Sequence, residues 1–254
     1  MSAGEHEPDQ THQAARRDTV VRIALLYPTV LGLYGDRGNA LVLAHRAARR
    51  GIDAEVIDVA PGDKVPEQAD VYLVGGGEDI AQTTACELLA ADGALTRAVA
   101  RRAPILAVCA GYQILGNQFA AGGRQVRGLG LLDIITRPRP TRAVGELVAE
   151  PIESDLPMLT GYENHGGGTT LGPGLTALAR VRTGHGNGVG DGTEGVRYGR
   201  IIGTYCHGPA LARNPALADL LLGWIVGEPL SPLDDATVEA LRTERLAAAS
   251  TTRR

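Results

Sequence analysis

The chain predicts an α/β fold, a doubly wound and mostly parallel sheet with antiparallel additions, and three observations carry that expectation. Over residues 21–120, short apolar runs alternate with segments of helical periodicity, the order that builds parallel strands joined by crossover helices. One run, Ile105-Leu106-Ala107-Val108, stops abruptly at Cys109 and resumes with helical spacing through Ala110-Gly111-Tyr112-Gln113-Ile114-Leu115-Gly116, the pattern of a strand, a sharp elbow and a helix. From residue 145 onward, short strand-like segments are separated by Gly and Pro clusters, which suits antiparallel strands added to the same sheet.

In chain order, residues 1–20 are polar and mixed in charge without an apolar core, and read as a disordered tail with no secretory signal. Strands are expected at 21–27, 54–59, 70–74 and 105–108, and helices at 39–50, 80–100 and 110–120. Further strands follow at 145–150, 177–182 and 197–205. Helices at 214–226, where Asn214-Pro215 supplies a cap and a first-turn proline, and at 237–248 close the chain. One domain over 21–228 is expected, with a C-terminal helix and tail over 229–254. A chain of 254 residues with 44% hydrophobic content buries one good-sized core, and a single Phe and a single Trp leave that core aliphatic.

Composition excludes several functions. A net charge of −4 with scattered Arg pairs offers no basic face for nucleic acid. No stretch approaches the roughly 18 apolar residues needed to span a bilayer, so direct membrane insertion is not expected. Three cysteines, at 86, 109 and 206, form no paired spacing, which points to a reduced, cytoplasmic protein. Neither Gly75-Gly76-Gly77 nor the loop Gly35-Asp36-Arg37-Gly38 is followed by Lys-Ser/Thr, so ATP is not expected on this chain.

Cys109 is the candidate nucleophile. Gly111 and the small Ala110 permit the tight turn that lifts a side chain above a sheet edge, and a helix starting straight after the thiol would favour thiolate. A thiol also needs a base. Of six histidines, His6 and His12 fall in the tail, His45 in a charged amphipathic helix and His185 in the glycine-rich loop 184–195, leaving His165 and His207. His207 ends the apolar run Ile201-Ile202-Gly203-Thr204-Tyr205-Cys206, where open α/β sheets place their sites. Adjacent strand residues point to opposite faces, so Cys206 and His207 are not read as a metal pair and no metal site is expected.

The elbow at 107–116, the segment Gly203-Thr204-Tyr205-Cys206-His207-Gly208 and the segment Gly161-Tyr162-Glu163-Asn164-His165-Gly166-Gly167 together resemble class I glutamine amidotransferases, in the branch containing the cobyric acid synthases. With Gly75-Gly76-Gly77-Glu78-Asp79, the chain looks most like the stand-alone glutaminase subunits of lipid II isoglutaminyl synthases over residues 21–228. The resemblance implies a flavodoxin-like core and a catalytic pair, Cys109 and His207, that hydrolyses L-glutamine through a thioester. It implies an oxyanion hole from backbone N–H groups near Gly77 and of Ala110. Arg142 would hold the glutamine α-carboxylate, with Arg137 and Arg139 as rivals, and Gln113, Asn164, Gly166 and Gly167 would line the pocket. His165 is assigned structural support.

Two positions depart from the pattern. Pro209 stands two residues after His207, where simple class I enzymes carry a carboxylate, and Ala107 stands where many carry glycine. Either a Cys-His dyad suffices or a partner lends the missing acid, and the second is the expectation. The resemblance implies that partner, a Mur-ligase-like (MurT-like) synthetase subunit that forms a heterodimer with this chain, binds ATP and Mg and amidates the α-carboxyl of D-glutamate in lipid II. Such a protein would be cytoplasmic and would reach the inner membrane face only through lipid II. The alternatives are the glutaminase component of a split cobyrinate amidotransferase and a γ-glutamyl cysteine hydrolase without synthetase partner.

Overall fold

Burial on both faces explains why the central strands of the first sheet are short, unbroken apolar runs. In the computed structural model, which describes residues 20–32 and 35–251, β3 (Val71–Val74) and β4 (Ile105–Val108) are buried at every position, as is β12 (Ile201–Thr204). With β1 (Val21–Leu26), β2 (Ala54–Val59) and β11 (Val196–Tyr198) they form a sheet of order β11-β12-β4-β3-β1-β2, parallel except for the edge strand β11. Helices pack on it: α1 (Arg37–Ala48), α2 (Asp79–Asp92), α3 (Ala94–Ala100), α4 (Ala110–Ile114), α5 (Ala210–Arg213) and α6 (Pro215–Val226). The mixed α/β class expected from the sequence is the observed one, with a core centred on β1, β3, β4 and β12 that is aliphatic in most positions but, against expectation, has Tyr27, Tyr72, Tyr112, Tyr205 and Phe119 as its largest fully buried side chains.

Of the antiparallel segments, only β11 joins that sheet. The others make a second sheet, order β10-β9-β7-β5-β6 with β8 on β7, from β5 (Gln118–Ala121), β6 (Arg124–Arg127), β7 (Ile134–Pro151), β8 (Leu159–Leu171), β9 (Ala179–Thr183) and β10 (Thr193–Glu194). Its spine is the long β7–β8 hairpin. The strand expected at 145–150 is the end of β7, which begins already at Ile134; Pro138 and Pro140 fit within it because the register shifts between Pro138 and Ala143.

Other boundaries moved for local reasons. The helix expected at 80–100 breaks at Gly93, whose φ of +70° ends α2 and begins α3. The helix expected at 110–120 stops at Ile114, and Gln118 starts β5. The strand expected at 197–205 is two strands joined at Gly199, φ +57°. Asn214 precedes α6 but makes no side-chain cap; its amide instead accepts from Thr160 N–H (2.9 Å) and donates to Thr160 O (2.8 Å). The closing helix α7 (Ala236–Thr251) is held by buried Arg242, which donates to Arg213 O (2.6 Å) and Met158 O (2.8 Å). Apart from Val20, the tail expected at 1–20 lies outside the described residues.

Candidate active site

Cys109 sits at the C-terminal end of β4 with φ +53° and ψ −106°, a conformation that costs a non-glycine residue about 1–3 kcal/mol. Neighbouring strands hold it there. Its N–H donates to Thr204 O on β12 (2.9 Å), and its carbonyl accepts from Gln113 N–H one turn on (3.0 Å). Gly111 lets α4 lie directly on β3: a Cβ there would meet the Val74 carbonyl. Above the elbow is a 260 Å³ cavity lined by Gly77, Cys109, Ala110, Gln113, Arg142, Asn164, His165, Gly166 and Gly167, among others. A larger cleft of 710 Å³ beside α6 and residues 227–235 contains neither Cys109 nor His207.

The register of β4 on β12 sets Val108 opposite Thr204, so Cys109 and His207 both follow the C-terminal ends of these neighbouring strands, although His207 does not border the cavity above the thiol. His207 is 1% exposed, and its backbone exchanges hydrogen bonds with Tyr162 of β8 (2.8 and 3.1 Å). Burial, then the fields of His165 and Arg142, lower its imidazole from 6.5 to about 4. The thiol is shifted the opposite way. Burial and the nearby Asp36 carboxyl push Cys109 up to about 12, against the Ala110 N–H and Arg142. The expectation of a ready thiolate is thus corrected: α4 has only five residues, and desolvation under the β7–β8 hairpin outweighs its dipole.

The second sheet supplies the far wall. Arg142 Nε donates to Asn164 Oδ1 across the β7–β8 pair (2.6 Å), and its side chain borders the cavity. Arg139 is turned to the carbonyls of Thr141 and Gly188, and neither it nor Arg137 borders the cavity. Gln113 forms part of the wall with its amide engaged at both ends, accepting from Gln82 Nε2 (2.8 Å) and donating to Tyr205 OH (3.0 Å). His165 is a buried support: its ring stacks on Tyr205 at 3.7 Å, Nδ1 donates to Gly167 O (2.7 Å) and Nε2 faces Glu163 at 3.5 Å. His185 is exposed on its loop.

Sequence reasoning missed Glu163, Gln82 and Asp36. Glu163 accepts from the N–H groups of His185 and Gly186, tying that loop to β8 (2.8 and 3.0 Å). Asp36 was seen only as part of a loop that is not a phosphate loop, yet its carboxylate reaches Gly76 N–H at 2.7 Å. The three cysteines are free and buried. Among the described residues no cluster of His, Cys, Asp and Glu is placed to hold a metal, and no helix is long and apolar enough to cross a membrane.

Residues 22–215 match the family of CobB/CobQ-like glutamine amidotransferase domains. The lipid II isoglutaminyl synthase (glutamine-hydrolyzing) subunit GatD of Staphylococcus aureus (strain N315) is 37% identical over 196 residues, 76% of this chain and 79% of that protein. The subunit of the same name from Streptococcus pneumoniae is 34% identical over 202 residues, 78% and 77% of the two. Cobyric acid synthase of Sphingopyxis alaskensis is 32% identical over 178 residues, 67% of this chain but 35% of that protein. Among solved structures, a glutamine amidotransferase aligns with a TM-score of 0.56 at 22% identity, covering 80% of this chain and 98% of that one. One from Thermotoga maritima aligns with 0.53 at 16%, covering 89% and 93%; both bear on the fold alone. With residues 22–215 matched to the family and two relatives at 37% and 34% identity over most of its length, the chain belongs to the CobB/CobQ-like glutamine amidotransferase family.

Proposed function

We propose that this chain is the glutaminase subunit of a lipid II isoglutaminyl synthase. The observation that carries the reading is a strained cysteine elbow at one wall of a 260 Å³ cavity with an arginine at another, a space suited to one small amino acid. Glutamine would lie with its α-carboxylate on the Arg142 fork and its side-chain amide over Cys109. Sγ attacks the amide carbon while His207 takes the thiol proton. The tetrahedral oxyanion is held by the N–H groups of Ala110 and Gly77, and collapse breaks the C–N bond as His207 returns the proton to departing ammonia. Water, deprotonated by His207, then cleaves the thioester and releases glutamate with the thiol restored.

The opposed shifts argue for a partner. Burial raises the thiol and lowers the imidazole, so in the free chain both groups are held neutral and moving the first proton from Cys109 to His207 is disfavoured. A carboxylate beside His207 would ease that transfer, and Pro209 occupies the position where simple class I enzymes keep one. The acid is therefore assigned to a Mur-ligase-like subunit, which would also bind ATP and Mg and use the ammonia to convert the lipid II D-glutamate to D-isoglutamine. The two would work as a cytoplasmic heterodimer that meets the inner membrane face through lipid II. The relatives named GatD support this pairing.

The test is ammonia release from L-glutamine and amidation of lipid II, wild type beside Cys109→Ala, with and without the synthetase. Hydrolysis that needs Cys109 and rises with the partner is the expected result. Equal turnover with and without partner contradicts the lent carboxylate. Cleavage of γ-glutamyl peptides without any amidation would replace the reading by that of a cysteine hydrolase.

A further inference from the structure

The first sheet changes winding direction between β1 and β3. From β1 the chain passes through α1 to the edge strand β2, whereas from β3 it passes through α2 toward β4. The loops leaving these two neighbouring strands therefore diverge, and the crevice between them lies where open α/β sheets bind ligands. One hydrogen bond spans that crevice. Asp36, 3% exposed at the start of α1, accepts from Gly76 N–H at 2.7 Å.

We propose that Asp36 is a positioning residue of the glutaminase site, whose carboxylate holds the Gly75-Gly76-Gly77 loop in register with the Cys109 elbow. The inference rests on the glutaminase reading for its catalytic consequence but on geometry for the contact itself. The carbonyl of Gly75 and the N–H of Gly76 belong to one peptide plane. Its oxygen accepts from Gly111 N–H in α4 (3.0 Å), two residues after the nucleophile, and its N–H is taken by Asp36. Both ends of the plane are thus fixed, which anchors the peptide immediately before Gly77 at the cavity wall and leaves only the φ and ψ of Gly76 between that anchor and the Gly77 N–H. The approach is built for this contact: a Cβ on Gly75 would lie 2.8 Å from Asp36 Cβ and Oδ2.

The same helix start abuts the base. Asn39 Oδ1 accepts from Leu211 N–H (2.9 Å), and a Cβ on Gly38 would run into the ring of Pro209, two residues after His207. The beginning of α1 therefore touches the supports of both the oxyanion loop and the histidine. A purely structural acceptor here would be better served by a neutral amide. Burial raises the Asp36 carboxyl from 3.8 to about 6 although the Gly76 N–H lowers it, and its field raises the Cys109 thiol. What the charge supplies in return is a stronger, charge-assisted grip on the peptide N–H. The titratable group that feels its field is Cys109 at the elbow, on which Arg142 and Glu78 also act. Its own neighbour Arg37 is turned to Asp58 at 2.5 Å.

The experiment is glutamine hydrolysis by the full chain with its synthetase partner between pH 5 and 8, for wild type, Asp36→Asn and Asp36→Ala, with the Gly76 amide followed by NMR across the same range. Expected are a wild-type kcat that falls below pH 6, a shallower fall for Asp36→Asn in that region from the base alone, and an Asp36→Ala kcat about 100-fold down with KM little changed. The Gly76 amide should titrate near pH 6 in wild type and not in Asp36→Asn. An amide indifferent to pH overturns the contact whatever the enzyme hydrolyses, and an undiminished kcat in folded Asp36→Ala overturns the catalytic role. If Gly76 titrates with Asp36 while no Cys109-dependent hydrolysis occurs, the loop-holding role stands and the glutaminase reading is what has failed.

Discussion

Gly111→Ala tests whether the close seat of α4 on β3 sets the site. An added Cβ would stand 2.8 Å from the Val74 carbonyl carbon and 2.9 Å from its Cγ1, closer still to its oxygen, where ordinary contact begins at 3.4 Å. Strand β3 is buried on both faces and cannot yield, so α4 must withdraw by roughly 1 Å. That motion stretches the 3.0 Å bond from Gly111 N–H to Gly75 O beyond hydrogen-bond range and parts Ala110 from the loop bearing Gly77. A misplacement of about 1 Å costs about 100-fold in rate, or roughly 2.7 kcal/mol of transition-state stabilisation. Stability should fall by less, because overpacking costs about 1–3 kcal/mol while alanine regains about 1 kcal/mol of helix propensity. The assay is kcat/KM for glutamine hydrolysis in the complex, beside thermal unfolding of the same preparation. Activity within threefold of wild type would refute the reasoning, as would a loss fully explained by unfolding at the assay temperature.

Two further outcomes are expected. Arg142→Lys should raise KM for glutamine at least 10-fold with a smaller effect on kcat, since an ammonium cannot reproduce the fork, and Arg142→Ala should do so more strongly; an unchanged KM in a steady-state assay removes Arg142 from substrate binding. Stability against pH should show two opposed titrations. His207 binds its proton less well folded, about 4 against 6.5, so it withdraws stability as pH falls through that window at about 1.4 kcal/mol per pH unit. Asp36 binds its proton better folded, about 6 against 3.8, so it returns stability over nearly the same window as pH falls. The two nearly cancel in wild type between pH 4 and 6. Urea unfolding of Asp36→Asn should therefore reveal acid destabilisation with a gain of up to about 3 kcal/mol at pH 7, and His207→Gln should reveal acid stabilisation; parallel profiles for all three proteins contradict both assignments.

What the sequence made legible was local. The elbow could be read because an apolar run, a thiol and Ala110-Gly111 stand side by side, and the positive φ of Cys109 is what that spacing requires. His207 could be read from its place at the end of a buried strand. Residues whose role depends on distant partners were not legible. Asp36 meets Gly76 across 40 positions, and nothing in Gly35-Asp36-Arg37-Gly38 announces it. The first part of β7 was hidden by Pro138 and Pro140, which only a register shift against β8 makes compatible with a strand. The thiol was misjudged for the same reason: a helix start is visible in sequence, but the β7–β8 hairpin that desolvates the sulfur comes from residues 134–171.

The most direct test of Cys109 as nucleophile is intact-mass and peptide-mapping mass spectrometry of the enzyme, with its partner, quenched in acid during turnover of L-glutamine. A glutamyl adduct on the peptide containing Cys109, absent from Cys109→Ala and accumulating in variants slowed at thioester hydrolysis, is the predicted result. Turnover with an unmodified Cys109 peptide under every quench, or an adduct on Cys86 or Cys206 instead, would contradict it.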